Sequence, residues 1–238
     1  AADRQFTLQF DGALTMTHHA TNLDLPGEAN ITTAAGDVAT FQSTGANTVQ
    51  CINYTKADGT GVVSSGGGWV ELQSVSASDS ATVDLETGIG STYDQYMIKI
   101  TNMIPANDAN DFRGLLKIGG SYVTSNYQWI FDNTDSGDAA YAFNTSQSNA
   151  ALKIGEGVGN AAGEEWTATY YFDSPDNTSA NKLFYGHAVH IDSSGDVQQG
   201  TFSGGNTGAV TALTGVRFLS SSGNITSGIF TLYGLTKA

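Results

Sequence analysis

One cysteine and four histidines hold most of the chain's nucleophilic and transition-metal-binding potential. Cys51 is alone, which excludes an intrachain disulfide and any multi-cysteine metal site. A catalytic thiol needs a nearby base and a lowered pKa. In a β-rich run, Cys51 instead reads as a small buried apolar side chain. His18 and His19 are adjacent, and His187 and His190 are three apart, so in strands each pair points to opposite faces. No histidine metal site is expected. Three acidic stretches, 107–111, 132–138 and 192–196, offer oxygen donors of the kind calcium takes. The middle one has Asp132, Asn133, Asp135 and Asp138 around Gly137. It lacks the full loop and closing bidentate Glu of an EF-hand, and turns recruit Asp and Asn for backbone reasons. Cofactors and metals are therefore expected to be none. Glu164 and Glu165 stand beside Trp166, but glycoside hydrolysis needs two carboxylates about 5–10 Å apart across a cleft, and neighbours in an extended chain point apart. There is no Gly-x-Ser-x-Gly and no His-Glu-x-x-His. The run Gly155-Glu156-Gly157-Val158-Gly159 lacks the Lys and following helix of a phosphate loop. The chain is not expected to be an enzyme.

The aromatic residues divide by position. Tyr122, Tyr127, Trp129, Phe131, Tyr141 and Phe143 cluster within about twenty residues, and alternation puts Tyr127, Trp129 and Phe131 on one face as core. Tyr141 and Phe143 sit among Asn, Ser and Thr, the mixture that stacks on and hydrogen-bonds a sugar. The candidate receptor-contact residues are thus Asn133, Asp135, Asp138, Tyr141, Phe143 and Asn144. They belong to one of three polar segments read as long loops: 107–111, 132–144 and 173–181.

These residues need a framework of strands. Residues 5–10 alternate cleanly, with Phe6, Leu8 and Phe10 together. Asp11-Gly12 turns the chain and 13–17 returns, a hairpin signal. Pro26-Gly27, Gly36 and Asn47 punctuate two further β-rich runs, 38–43 and 49–54. In the second, Val49, Cys51 and Asn53 share one face and Gln50, Ile52 and Tyr54 the other. Residues 1–63 therefore read as a meander too thin to bury much apolar surface alone. Ser64-Ser65-Gly66-Gly67-Gly68 reads as a linker. Residues 69–238 carry about ten strands with polar loops, which predicts a β-sandwich of jelly-roll type. Residues 152–154 read as a very short strand and 139–143 as ambiguous. No segment has a helical period with caps at both ends. The expected class is all-β: an N-terminal ribbon (1–63), a linker (64–68) and a C-terminal sandwich (69–238).

Composition narrows the partners. Of 238 residues only 13% are charged, yet Asp and Glu outnumber Lys and Arg by 23 to 9, for a formal net charge of −14. That disfavours nucleic acid, whose binding relies on displacing counterions with positive charge, and anionic membrane surfaces. No apolar run of about 18 residues predicts a membrane-spanning helix, and no signal-peptide pattern is read at the start. With 29 Gly and 3 Pro, polarity comes mostly from neutral turn-forming residues.

Residues 25–60, LPGEANITTAAGDVATFQSTGANTVQCINYTKADGT, resemble a segment of tail fibres and related appendages of tailed bacteriophages. The closing run 223–235, GNITSGIFTLYGL, is similar to the last strand of that group. Family members commonly carry Gly-Asn-Trp-Arg before the Cys, where this chain has Ala46-Asn47-Thr48-Val49-Gln50. The resemblance implies a virion structural protein without enzymatic activity. A homo-oligomer, expected as a trimer, is read from the ribbon itself, whose Phe6, Leu8, Phe10, Leu14, Leu23 and Leu25 exceed what one chain covers. Other virion proteins and a host-surface glycan or protein are the implied partners. Competing expectations are a capsid decoration or cement protein, a filament subunit, and a capsule depolymerase.

Overall fold

The computed structural model describes residues 2–58, 68–137 and 141–236, and they are nearly all strand and turn. The chain divides into two compact units, Ala1–Gly67 and Gly68–Lys237. Most of the expected linker, residues 64–67, lies outside the described residues.

The first unit holds β1 (Gln5–Gln9), β2 (Thr15–Met16), β3 (Leu23–Asp24), β4 (Ile31–Thr32), β5 (Val38–Gly45) and β6 (Thr48–Thr55). Its main sheet runs β1-β5-β6-β3, and β2 pairs with β4. The expected hairpin between residues 5–10 and 13–17 does not form. Phe6 and Leu8 lie opposite Phe41 and Ala39 of β5 instead. Nor is the unit a meander, because β3 runs parallel to β6. The turn signals act as read: Gly27, Gly36 and Asn47 all take positive φ.

A β-bulge corrects the face assignment in β6. Ala39 pairs with Tyr54 and Phe41 with Cys51, so the register slips by one between them. A bulge lets residues an odd number apart share a face. Cys51 and Tyr54 both enter a core with Leu25, Ile31, Ala39 and Phe41, joined by Phe10, Met16, Leu23 and Val49. The unit therefore has a core of its own, contrary to the expectation of a bare ribbon. Asp37 sits beneath it. Its carboxylate accepts the Tyr54 hydroxyl at 2.6 Å and the amides of Ala57 at 2.9 Å and Ala34 at 2.8 Å.

The second unit holds β7 (Trp69–Ser80), β8 (Val83–Leu85), β9 (Gln95–Pro105), β10 (Asn110–Ile118), β11 (Ser121–Tyr122), β12 (Tyr127–Asp135), β13 (Tyr141–Asn149), β14 (Leu152–Val158), β15 (Trp166–Asp173), β16 (Lys182–Ile191), β17 (Val197–Asn206), β18 (Leu213–Ser220) and β19 (Ile225–Leu235). Eight of these make the jelly roll: β7, β8, β9, β10, β14, β15, β18 and β19. Within that set, one sheet runs first-eighth-third-sixth, β7-β19-β9-β15. The other runs second-seventh-fourth-fifth, β8-β18-β10-β14. Strands shuttle between two sheets, as in interlocked Greek keys. Rings close the sandwich: Phe218 meets Phe230 at 5.3 Å and Phe112 meets Trp166 at 4.9 Å. The Tyr170 hydroxyl donates to the Ile154 carbonyl at 2.7 Å.

Two hairpins are inserted into this plan, β12–β13 before β14 and β16–β17 after β15. They pair with one another and lengthen the first sheet to eight strands, ending β15-β16-β17-β12-β13. Residues 141–149, partly read as ambiguous, are strand, and β14 is longer than residues 152–154. The inner face of the extension interleaves glycine and aromatic rings. Gly186 lies between Tyr170 and Phe202, and Gly204 between Phe184 and Trp129. A Cβ on Gly186 would be driven into the Thr169 carbonyl and Tyr170 backbone. These strands approach too closely for any larger residue there.

Two predictions follow from these contacts. Gly186→Val is expected to destabilise the second unit by about 3 kcal/mol or more, read as a lowered Tm. In the first unit, the Tyr54 hydroxyl, then the Ala57 and Ala34 amides, hold Asp37 below its ordinary value of 3.8. A depressed folded-state pKa gives stability that is present above the ordinary value and lost as pH falls through the folded one. Protection of the Ala34 and Ala57 amides against hydrogen exchange, taken relative to the intrinsic rate at each pH, should therefore fall as pH drops below 3.8. Asp37→Asn should flatten that dependence.

Candidate functional site

The extension has one face turned into the core and one turned outward. Phe131, Phe184 and Phe202 are buried on the inner face, whereas Ile130, Leu183, Tyr185 and Val189 stand exposed on the outer one. Strand register lays the outer residues in rows. One runs Leu183–Gly205–Gln128, the next Tyr185–Ser203–Ile130–Thr145. Two more run His187–Thr201–Asp132–Phe143 and Val189–Gln199–Thr134–Tyr141. Down the middle strand, β17 presents Gly205, Ser203 and Thr201, all small, between longer side chains of β16 and β12. The result is a depression along β17. A hollow of about 600 Å³ lies where Leu183, Tyr185, Ile130 and Ser203 meet. A second, of about 160 Å³, lies among His187, Asp132, Thr201 and Tyr141.

Asp132 is the one carboxylate in those four rows. It accepts the Thr201 hydroxyl in a short contact, the Thr201 amide at 3.0 Å and the Tyr141 hydroxyl at 3.2 Å. The Thr201 hydroxyl, helped by the amide and Tyr141, holds its pKa below the ordinary carboxylate value against the opposing effect of burial. On the other side of the trough, Tyr185 stacks on Tyr171 at 5.6 Å, and Trp69 approaches Tyr171 at 6.1 Å. Trp69 is partly exposed on this outer face.

The structure separates the sequence-predicted contact residues. Tyr141 and Phe143 are 63% and 60% exposed on β13, the outermost strand, and border the trough. Asn133 points inward and is buried, so it does not reach the surface. Asn144 is half-buried and donates to Glu156 at 2.9 Å. Asp135 closes β12, accepts the Gly137 amide at 2.6 Å and so shapes a turn. Asp138 lies outside the described residues. The segment 132–144 is thus mostly hairpin rather than loop, because β12 continues to Asp135 and β13 begins at Tyr141. Segment 107–111 is tied down: Asn107 and Asn110 both bond Ser222. Segment 173–181 is anchored by buried Lys182, whose ammonium donates to the Asn177 and Ala180 carbonyls. Sequence reading missed Leu183, Tyr185, Ser203 and Thr201. Their alternation is visible, but only strand pairing shows that small residues of β17 lie beside large ones.

Other chemistry-bearing residues are used structurally. The Cys51 thiol is buried, donates to the Asn53 carbonyl, and has its pKa pushed up by burial. That is the reverse of an activated nucleophile. Glu164 caps the Ala161 amide at 2.7 Å. Asp192 accepts the amides of Ser194 and Asp196, as a turn-forming Asp does. His190 is buried opposite Gln198, and burial lowers its pKa. Among the described residues no group of three or more His, Cys, Asp and Glu could hold a metal ion.

No protein-family model matches the chain, and no curated protein matches it. Among solved structures, one titled "Structure of infectious bursal disease virus Gx strain" aligns with 99% of this chain at 10% identity and a TM-score of 0.10. This chain spans 59% of that chain's length. A score so low carries no argument about fold or function.

The trough's electrostatics can be checked directly. The Asp132 carboxyl should titrate below the usual Asp range by NMR, and Thr201→Val should move its midpoint upward.

Proposed function

We propose that the chain is a structural protein of a tailed-bacteriophage virion, a tail fibre or related appendage. In this reading it assembles as a homo-oligomer, expected as a trimer, and meets the host surface through its second unit. The observation that carries the reading is the segment 25–60, whose resemblance to phage appendages is specific and nearly ungapped. The structure gives that segment a physical role. It supplies all six buried residues of the first unit's core: Leu25, Ile31, Ala39, Phe41, Cys51 and Tyr54. The same unit leaves Phe6, Leu8, Leu14 and Ile52 between 43% and 58% exposed. Large apolar side chains exposed on so small a unit favour a subunit contact. Net charge supports a contact with neutral or protein surfaces rather than nucleic acid.

A capsid decoration or filament subunit without a receptor role is the second reading. It is favoured by β7, a twelve-residue edge strand that keeps Trp69 and Val70 exposed. Long unpaired edges invite pairing with another chain. The outcome expected for the first reading is antibody labelling at the tail or its fibres, with loss of host adsorption when the antibody is bound. Labelling spread over the capsid supports the second. Light scattering at micromolar concentration should give a stable oligomer, expected at three times the chain mass. A folded, monodisperse monomer would overturn the assembly reading.

A further inference from the structure

We infer that the trough along β17 is a binding site for a neutral oligosaccharide. The inference rests on the host-contact reading above and assigns it to a sheet face rather than to loops. The shape comes first. Four cross-strand rows, from Leu183–Gly205 to Val189–Gln199, span about 20 Å at roughly 6.6 Å per two residues. Over the first three rows the floor is made by Gly205, Ser203 and Thr201 of β17, and Gln199 closes the fourth. The walls are Leu183 and Tyr185 on one side and Ile130 on the other, with Phe143 and Tyr141 beyond. The larger hollow, about 600 Å³, is in the size range of small-molecule sites.

The lining selects the occupant. Around the larger hollow, the polar groups are hydroxyls and amides: Gln128, Thr145, Ser146, Gln147, Ser203 and Thr207. None of these is ionisable near neutral pH, so the hollow offers no charge to pair with an ionic ligand. Tyr185 adds a half-exposed ring, and its stacking on Tyr171 holds it upright without help from a ligand. A ring fixed in advance loses less entropy on binding. The smaller hollow adds Asp132, whose two oxygens already take three donors and retain capacity for one more. A hydroxyl could fill it. A second anion would be repelled, both by Asp132 and by a chain of net charge −14.

Other occupants fit less well. A peptide adding as a strand needs a free edge, but β17 is paired along its length on both sides, to β12 and β16. A lipid chain would leave the hydroxyl-lined floor without partners, which is costly. A polyhydroxylated, uncharged ligand satisfies both the aromatic wall and the polar floor.

The experiment uses the full chain, titrated with tetra- to hexasaccharides of glucose, mannose, galactose and N-acetylglucosamine, with a hexauronate as the anionic counterpart. At least one neutral sugar is expected to bind saturably in the micromolar to millimolar range, with NMR shifts centred on Ser203, Thr201 and Tyr185. Ser203→Trp fills the hollow from an exposed position and should weaken binding at least tenfold at unchanged Tm. Tyr185→Ala should do the same by removing the ring, and Ile229→Ala, on a distant strand of the sheet, should change nothing. The inference is overturned if no neutral sugar saturates, if Ser203→Trp and Tyr185→Ala bind like the parent, or if the hexauronate binds more tightly. It is also overturned if both variants alter the oligomer while no sugar binds, since the face would then be a subunit contact. Antibody labelling of the virion with a negative sugar panel would sink this inference alone. Sugar binding by a protein absent from the virion would keep the site and sink the appendage reading.

Discussion

The pairing of β12 with β17 is the contact on which the outer face depends. It runs without a register break from Tyr127–Asn206 to Asp135–Gln198. The partners come from insertions separated by β14 and β15, so neither hairpin can find its place from local sequence. A hairpin alone is marginal in water. Here each is stabilised by the other and by the jelly roll's edge strand β15, which pairs with β16. Close approach is possible because glycine faces an aromatic ring across the inner face. Gly186 sits beside Tyr170 and Phe202, and Gly200 beside Asn133 with the Phe131 ring over it. Large and small alternate, which lets these strands approach closely.

That inner-face solution determines what the outer face can be. Every strand residue that does not point into the core points out. Since β17 places Phe202, Gly204 and Gln198 inward, it must place Thr201, Ser203 and Gly205 outward. Likewise β16 places Phe184 and Ala188 inward, and so Leu183, Tyr185, His187 and Val189 outward. The concavity is thus a by-product of which strand carries small residues at odd positions. It needs no loop and no hinge. A site of this kind is rigid, because both of its walls are the backs of packed strands.

Much of the architecture was legible from residue patterns alone. Alternation in 127–131 placed Tyr127, Trp129 and Phe131 in the core, where they are. The strand count and turn chemistry of residues 69–238 pointed to a two-sheet sandwich. What failed did so for identifiable reasons. The 5–10/13–17 hairpin had good turn chemistry, but Phe6 and Leu8 gain more by facing Phe41 and Ala39, a contact thirty or more residues away. Strict alternation in 49–54 separated Cys51 from Tyr54, and a single bulge reunited them. Segment 132–144 read as a loop because its first strand residues are Asp132, Asn133, Thr134 and Asp135. β-Propensity reflects surroundings more than intrinsic preference, and here pairing with β17 on one side carried polar residues into the sheet. The trough was illegible because it consists of residues far apart in sequence that only register brings into rows.

Charge gives that face a further meaning. Four of the chain's nine Lys and Arg residues are committed elsewhere. Arg217 holds Asp84 through two bonds at 2.6 and 2.7 Å, Lys117 holds Glu86, and Lys153 bridges Asp111 and Glu156. Lys182 is buried on carbonyls. Most remaining charge is carboxylate, which makes contact between acidic surfaces unfavourable. The four rows along β17 hold one carboxylate, Asp132, and that one is wrapped by Thr201 and Tyr141. On an acidic molecule, a strip with one carboxylate and exposed aromatic rings is where another surface can approach with least electrostatic cost. The repulsion elsewhere then acts as a filter: it discourages polyanions and indiscriminate self-association while leaving this strip open. Specificity on such a protein comes as much from where charge is absent as from where it is placed.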